Sequence, residues 1–240
     1  PGLREKMVIA TKCGIRFRGA PNPDSPQRYD FSAEHIIQSC EKSLVRLNTD
    51  VIDLYQLHRP DYLMNPEEIA EAFTKLHQKG KVRFFGVSNF TASQVDLLRS
   101  TSSNIRLTSV HQVEISLLNR YAMETGLLDQ CQIQRMTPLA WSPLAGGVLG
   151  DSYTPTAADL KKFPTLEDTH RTLDEIAHEH QTTRSVVALA WLLKHPSGII
   201  PIVGSVRPER IRQFTQADEV NLSREEWYKL LLAARGEPLP

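Results

Sequence analysis

Six short apolar runs in this chain each end in side chains able to act on, or hold, a bound molecule. Met7-Val-Ile-Ala-Thr ends in Lys12, and Val51-Ile-Asp-Leu-Tyr-Gln-Leu ends in His58. Phe84-Phe-Gly-Val leads into Ser88 and Asn89, and Leu107-Thr-Ser-Val-His leads into Gln112 and Glu114. Thr137-Pro-Leu-Ala leads into Trp141 and Ser142, and Ile199-Ile-Pro-Ile-Val into Gly204 and Ser205. The residue types fall into two groups. An ammonium and an imidazole handle protons or polarise an oxygen. Hydroxyls, carboxamides and an indole face hold a ligand by hydrogen bonds and stacking. Six such endings suggest one composite site, an inference that no single run would carry.

The runs themselves explain the placement. Apolar stretches of this length, bounded by turn signals and separated by helical patterns, read as buried parallel strands. In a β/α barrel the active site lies where the strands end. Helical patterns fill the gaps. Ser32 to Asn48 sets Ile37, Cys40, Leu44 and Leu47 on one face. Asn65-Pro66-Glu67-Glu68 opens a helix that closes near Gly80, and Thr91-Ala-Ser-Gln94 is a capping box. Further helices are expected over Glu124–Arg135, Thr172–His180, Arg184–His195 and Pro208–Ala217, and from Ser223 through Ala234. Gly146 to Glu167 reads as a long loop, either a lid or a disordered surface insertion. The alternation has no composition break, so residues 1–240 are expected to form a single domain. A closed barrel needs eight strands and only six runs are present. The sequence therefore predicts either a six-stranded open sheet or a barrel whose first two βα units precede residue 1.

Composition narrows the class. Lys plus Arg and Asp plus Glu number 28 each, so no basic field favours nucleic acid or an acidic membrane. The longest apolar stretch, Val186 to Leu193, is too short to span a bilayer and reads as a buried helix face. The first residues lack the apolar core of a signal peptide. Cys13, Cys40 and Cys131 form no metal or redox motif, which favours reduced thiols and a cytoplasmic location. The eight histidines form no ligand pair, so no metal is expected. The absence of GxGxxG argues against a Rossmann dinucleotide site.

Six segments in order resemble the aldo-keto reductases. Val8-Ile-Ala-Thr-Lys12 is similar to the family's lysine strand, and Asp53-Leu-Tyr-Gln-Leu-His-Arg-Pro-Asp61 to its histidine strand. Gly80-Lys-Val-Arg-Phe-Phe-Gly-Val-Ser-Asn-Phe90, Gln112-Val-Glu-Ile-Ser116 and Trp141-Ser-Pro-Leu144 look like family segments. Ile202-Val-Gly-Ser-Val-Arg-Pro-Glu-Arg210 resembles the segment for the adenosine end of the cofactor. The likeness is greatest to the bacterial general oxidoreductase branch. It implies a TIM-type (β/α)8 barrel with only strands 3–8 and their helices represented here.

The resemblance also implies roles. Of a tetrad Asp, Tyr, Lys and His, it places the last two on Lys12 and His58. The Asp and Tyr would lie upstream of Pro1 and are absent from this sequence. Lys12 would lower the pKa of a tyrosine acid, and His58 would orient or polarise the carbonyl oxygen. Ser88, Asn89 and Gln112 would bond the nicotinamide carboxamide, and Trp141 would stack on its ring. Ser142, Pro143, Leu144, Gly146 and Gly147 would cover the pyrophosphate. Gly204, Ser205, Arg207, Arg210 and Gln213 would hold the adenosine end, and Arg207 and Arg210 suit a 2′-phosphate and hence NADP(H). The expected reaction is reduction of aldehyde or ketone carbonyls by hydride from NADPH. Two alternatives stay open, a nucleotide-binding regulatory subunit without catalysis and a barrel remnant that does neither. The expected partner is a small carbonyl compound. The chain is expected to be monomeric if complete, and to associate through open sheet edges if two units are missing.

Overall fold

The computed structural model describes residues 2–101 and 108–239. Leu107, which opens the fourth apolar run, lies outside them. The backbone divides into two compact units, Pro1–Gln112 with Ile133–Met136, and Val113–Gln132 with Thr137–Pro240.

The first unit holds β1 (Ala10–Cys13), β2 (Ile15–Arg16), β3 (Arg28–Tyr29), α1 (Ala33–Leu47), β4 (Ile52–Leu57), α2 (Pro66–Gln78), β5 (Val82–Ser88), α3 (Ala92–Ser100) and the start of β6 (Val110–Glu114). Strand β1 pairs in parallel with β4, β4 with β5 and β5 with β6. Alternation along the strands divides their side chains between two faces. Tyr55 donates its hydroxyl to the Ile36 carbonyl of α1 at 3.0 Å, and Phe85 stacks on Phe73 of α2 with ring centres 4.0 Å apart. Tyr55 and Phe85 thus mark the helix-covered face, and Lys12, Gln56 and Gly86 share the opposite one.

Two expectations fail here for local reasons. The first run is strand only from Ala10, and Val8 is 79 % exposed. The Asp53 carboxylate takes the Ile9 N–H at 2.9 Å and also pairs with Arg4 and Arg83, so a buried side chain anchors the approach to the strand. In α1 the buried face is Ile36, Cys40, Ser43 and Leu44, whereas Leu47 is exposed. The sequence phase chose Ile37 where the helix buries Ile36.

The second unit holds α4 (Tyr121–Glu124), most of α5 (Leu127–Ile133), β7 (Thr137–Trp141), α6 (Ala157–Lys162), α7 (Leu166–Glu179), α8 (Arg184–Leu193), β8 (Ile200–Pro201), α9 (Pro208–Thr215) and α10 (Arg224–Arg235). Strands β7 and β8 are parallel, with Leu139 beside Ile200 and Ala140 beside Pro201. Strand β8 is only two residues long because Pro201 has no N–H for a ladder. The expected 146–167 loop contains a helix, α6, whose Thr156–Asp159 capping box satisfies its first turn. Helix α7 then starts at Leu166, six residues before the expected Thr172. Helix α8 buries Ser185 through Leu192 on all sides. It meets α10 where Trp191 and Trp227 stack 4.8 Å apart, each ring N–H donating to the other's carbonyl. Among the described residues no helix is long and apolar enough to cross a membrane.

Candidate active site

In the first unit, strand register stacks the candidate groups in two layers on the face turned away from the helices. Lys12 of β1, Gln56 of β4 and Gly86 of β5 form the lower layer. His58, Ser88 and Gln112, each two residues further along its strand direction, form the upper one. The His58 N–H donates to the Cys13 carbonyl at 3.0 Å and extends the β1–β4 ladder by one step. Asn89 then leaves the strand with φ 61°, a left-handed turn that asparagine tolerates. Its N–H donates to the Gln112 carbonyl at 3.0 Å, and its Nδ2 to Ser88 Oγ at 2.8 Å and the His58 carbonyl at 3.3 Å. Asn89 therefore ties together the ends of β4, β5 and β6. Its carboxamide is already engaged within the protein, which its expected nicotinamide role did not anticipate.

Lys12 and His58 border a cavity of about 280 Å³ with His35, Lys42 and Arg46 of α1. Burial holds the Lys12 ammonium below its ordinary range. Burial, and then the positive charges of Lys12 and Arg59, lower the pKa of His58, so the imidazole is neutral near pH 7. A neutral imidazole donates one hydrogen bond without bringing a charge, which suits it to polarise a carbonyl oxygen. Tyr55 cannot reach this face, because its hydroxyl is committed to α1.

In the second unit the segment after β7 turns sharply. Ser142, Ala145, Gly146 and Gly147 have φ of 50°, 50°, 70° and 98°. A Cβ at Gly146 or Gly147 would meet nothing within 4 Å, so the backbone there faces open space that a ligand could enter. This turn, Ile202–Ser205 and Arg210 with Phe214 of α9 enclose a cleft of about 370 Å³. Eight expected residues line it, namely Ser142, Pro143, Leu144, Gly146, Gly147, Gly204, Ser205 and Arg210. Arg207 sits at the N-cap of α9, its N–H donating to Ser205 Oγ at 3.2 Å. Among the described residues neither Arg207 nor Arg210 pairs with a carboxylate.

Three expected residues of this unit stand apart from the cleft lining, Arg207, Trp141 and Gln213. Trp141 is half-buried at the end of β7, where its carbonyl accepts the Ile115 N–H at 3.4 Å. Gln213 donates its side-chain N–H groups to Asp151 at 3.0 Å and Thr183 at 2.7 Å. Asp151 also accepts the Ser185 N–H at 2.8 Å, so Gln213 braces α9 against the start of α8. Phe214, which the resemblance places at the adenosine end, lies one helical turn after Arg210 and lines the cleft. The adjoining recess of Asp151, Tyr153 and Ser185 was not expected from the sequence.

A model of the aldo/keto reductase family matches residues 1–231. The chain belongs to the aldo/keto reductase family. It is 42 % identical over 240 residues to a 6-dehydroglucose reductase of Novosphingobium aromaticivorans, covering 100 % of this chain and 73 % of that one. It is 41 % identical over 242 residues to the oxidoreductase YdhF of Escherichia coli, covering 100 % of this chain and 76 % of its relative. The crystal structure of a thermostable aldo-keto reductase, Tm1743, bound to the inhibitor epalrestat superposes with a TM-score of 0.77 at 29 % identity. That likeness covers 96 % of this chain and 72 % of Tm1743. This aldo/keto reductase is thus a carbonyl-reducing oxidoreductase with an α/β fold of parallel strands and helices. The matches span the whole of this chain and about three quarters of each of these relatives.

Proposed function

We propose that this aldo/keto reductase uses NADP(H), and that its second unit grips the phosphates of that cofactor. The observation that carries the reading is the cleft of the 142–147 turn, which two open glycines line together with Arg210, an arginine without a carboxylate partner among the described residues, while Arg207 caps the same helix. Backbone N–H groups and fixed guanidinium charge suit a phosphate dianion. When bound, the cofactor supplies hydride to the carbonyl carbon. His58 would donate a hydrogen bond to the carbonyl oxygen, and Lys12 would favour loss of the proton from a neighbouring acid. Ser88 and Gln112 of the first unit remain groups proposed for the nicotinamide. The likeness to Tm1743 supports reading the strands and helices as part of the family's barrel. Two relatives, 42 % and 39 % identical, are 6-dehydroglucose reductases, so 6-dehydroglucose is the first substrate to assay.

Quenching of tryptophan fluorescence by NADPH and by NADH tests the cofactor. We expect NADPH to bind at least ~10-fold tighter, and Arg207→Ala with Arg210→Ala to remove that preference, since each charge-assisted contact is worth about 1.5–3 kcal/mol. Equal affinities of the unaltered protein for the two cofactors would refute the reading. A second reading, nucleotide binding without turnover, is favoured by one feature. Among the described residues no tyrosine hydroxyl bonds Lys12, and Tyr62 is 89 % exposed. NADPH binding without its oxidation by any aldehyde would establish that second reading.

A further inference from the structure

Three side chains of the second unit grip the backbone behind the phosphate cleft without lining it. His170 and Asp174 lie one helical turn apart on α7, and Arg184 opens α8. His170 is buried, and its Nε2 lies 2.8 Å from the Val148 carbonyl oxygen. Arg184 Nη1 donates to the Gly150 carbonyl at 3.2 Å and lies 3.1 Å from His170 Nδ1. The rest of the guanidinium forks onto Asp174, Nε to Oδ1 at 2.9 Å and Nη2 to Oδ2 at 2.6 Å. Asp151 completes the attachment, its carboxylate accepting the Ser185 N–H at 2.8 Å. That bond serves the first turn of α8, where the N-cap Thr183 makes no side-chain cap bond.

The chemistry of the partners fixes each donor. A carbonyl oxygen only accepts, so His170 carries its proton on Nε2. A guanidinium only donates, so Nδ1 is the bare, accepting nitrogen. The imidazole is therefore neutral, and burial, the largest influence on it, lowers its pKa in the same sense. The gripped segment is one that glycine would otherwise leave free. It follows Gly146 and Gly147, both at positive φ, and contains Gly150, whose N–H donates to the Gly147 carbonyl at 2.9 Å. Glycine loses the most conformational freedom on ordering, and a loop ordered only on binding costs affinity. Gly147 and Gly150 both line the recess beside Arg210, so fixing residues 148–151 fixes one wall of the site.

We propose that His170, Arg184 and Asp174 are positioning residues that preset the 148–151 wall of the cleft before a ligand arrives. Asp174 orients the guanidinium, Arg184 holds Gly150 and His170, and His170 holds Val148. The role deepens the cofactor reading and rests on it only for which ligand benefits. An apparent Kd rises as the reciprocal of the competent fraction, so a wall in place ~10 % of the time weakens binding ~10-fold.

Hydrogen exchange of the ligand-free full chain reads the wall itself, and tryptophan quenching by NADPH reads its effect on the cleft. His170→Phe removes both contacts of the ring, whereas His170→Gln returns an N–H donor and an acceptor oxygen. Arg184→Lys keeps the charge but cannot span Asp174, Gly150 and His170 together. We expect residues 148–151 to exchange faster in His170→Phe and Arg184→Lys, with residues 187–192 of α8 and 228–233 of α10 unchanged. NADPH should bind ~10-fold more weakly to both variants, and His170→Gln should restore both readouts. Nitrogen-15 NMR of the unaltered chain near pH 7 should show the His170 proton on Nε2. A proton on Nδ1, or unchanged exchange at 148–151 in both variants, overturns the proposal. So does faster exchange spread through α8 and α10, which marks plain destabilisation, or an NADPH affinity that holds while the segment loosens. If the unaltered chain binds no NADPH, the cofactor reading falls, and local exchange with its rescue by Gln decides the clamp alone. Should His170→Phe not fold, Asp174→Ala at an exposed position takes its place with the same outcomes.

Discussion

Protonation of a single side chain, His111, sets much of how this protein responds to acid. The residue is fully buried on β6, and desolvation pushes its pKa down to about 4. In the unfolded chain the value returns to about 6.5. Between those two pH values the unfolded state binds a proton that the folded state refuses, so stability is complete above pH 6.5 and falls as pH drops toward 4. Integrated from pH 6.5 to 5, the loss is about 2 kcal/mol. His35, His58, His170 and His195 are lowered too, each chiefly by burial, and act in the same direction. Urea unfolding at pH 7 and pH 5 isolates the contribution of His111. We expect His111→Gln to lose about 2 kcal/mol less than the unaltered chain over that interval, and an identical loss in both would exclude this origin. The sequence could name His111 but could not show its burial, because a histidine in an alternating run occupies either face until the register is known. The same ignorance hid Gln56, which shares β4 with the equally polar Asp53.

At the level of elements, what the sequence made legible was local chemistry. The Asn65 cap with Pro66 after it and the capping boxes at Thr91 and Ser223 all form as read, since each depends on residues within one helical turn. Where the outcome depends on distant partners, the reading falls short. The hairpin of β2 and β3 joins Ile15 to Tyr29 across a Pro- and Asp-containing connection that has no apolar alternation to announce it. Helix α6 is short and has no buried residue, so periodicity gave no sign of it even though its capping box is plain in Thr156 and Asp159. Phe84, counted as core, is 57 % exposed because β5 buries both faces only from Phe85 onward. Strand proximity also explains a constraint that no pattern displays. At Gly86 the neighbouring β6 approaches so closely that a methyl group would sit 2.8 Å from the Val110 carbonyl oxygen. Backbone cannot yield as a side-chain tip can, so Gly86→Ala should destabilise the first unit by about 1–3 kcal/mol. Thermal unfolding checks this, and an unchanged midpoint would mean that β5 and β6 can separate without loss.

For the molecule as a whole, the candidate residues divide between the two compact units, and the division makes a prediction about where a ligand is felt. The first unit carries Lys12, His58, Ser88 and Gln112 on β1, β4, β5 and β6, and the second carries the cleft from Ser142 to Gly147 with Arg210. The six-segment resemblance was legible because each segment is short and contiguous, whereas the split into units depends on packing that no segment records. Adenosine 2′,5′-bisphosphate contains the phosphates that Arg207 and Arg210 suit and lacks the nicotinamide. A ligand that binds only the folded state adds RT ln(1 + [L]/Kd), about 2.7 kcal/mol at one hundred times Kd. Part of that increment should appear as slower amide exchange where the ligand lies, since local opening has to release it. Hydrogen exchange read by mass spectrometry over the whole chain should therefore slow in residues 142–150 and 202–214. Residues 52–57 and 82–88 should exchange as before and act as an internal reference. Adenosine 5′-monophosphate, without the 2′-phosphate, should protect the same segments less at equal concentration. Equal protection by the two ligands would remove the arginines from 2′-phosphate recognition. Protection confined to β4 and β5 would move the phosphate site out of the second unit altogether.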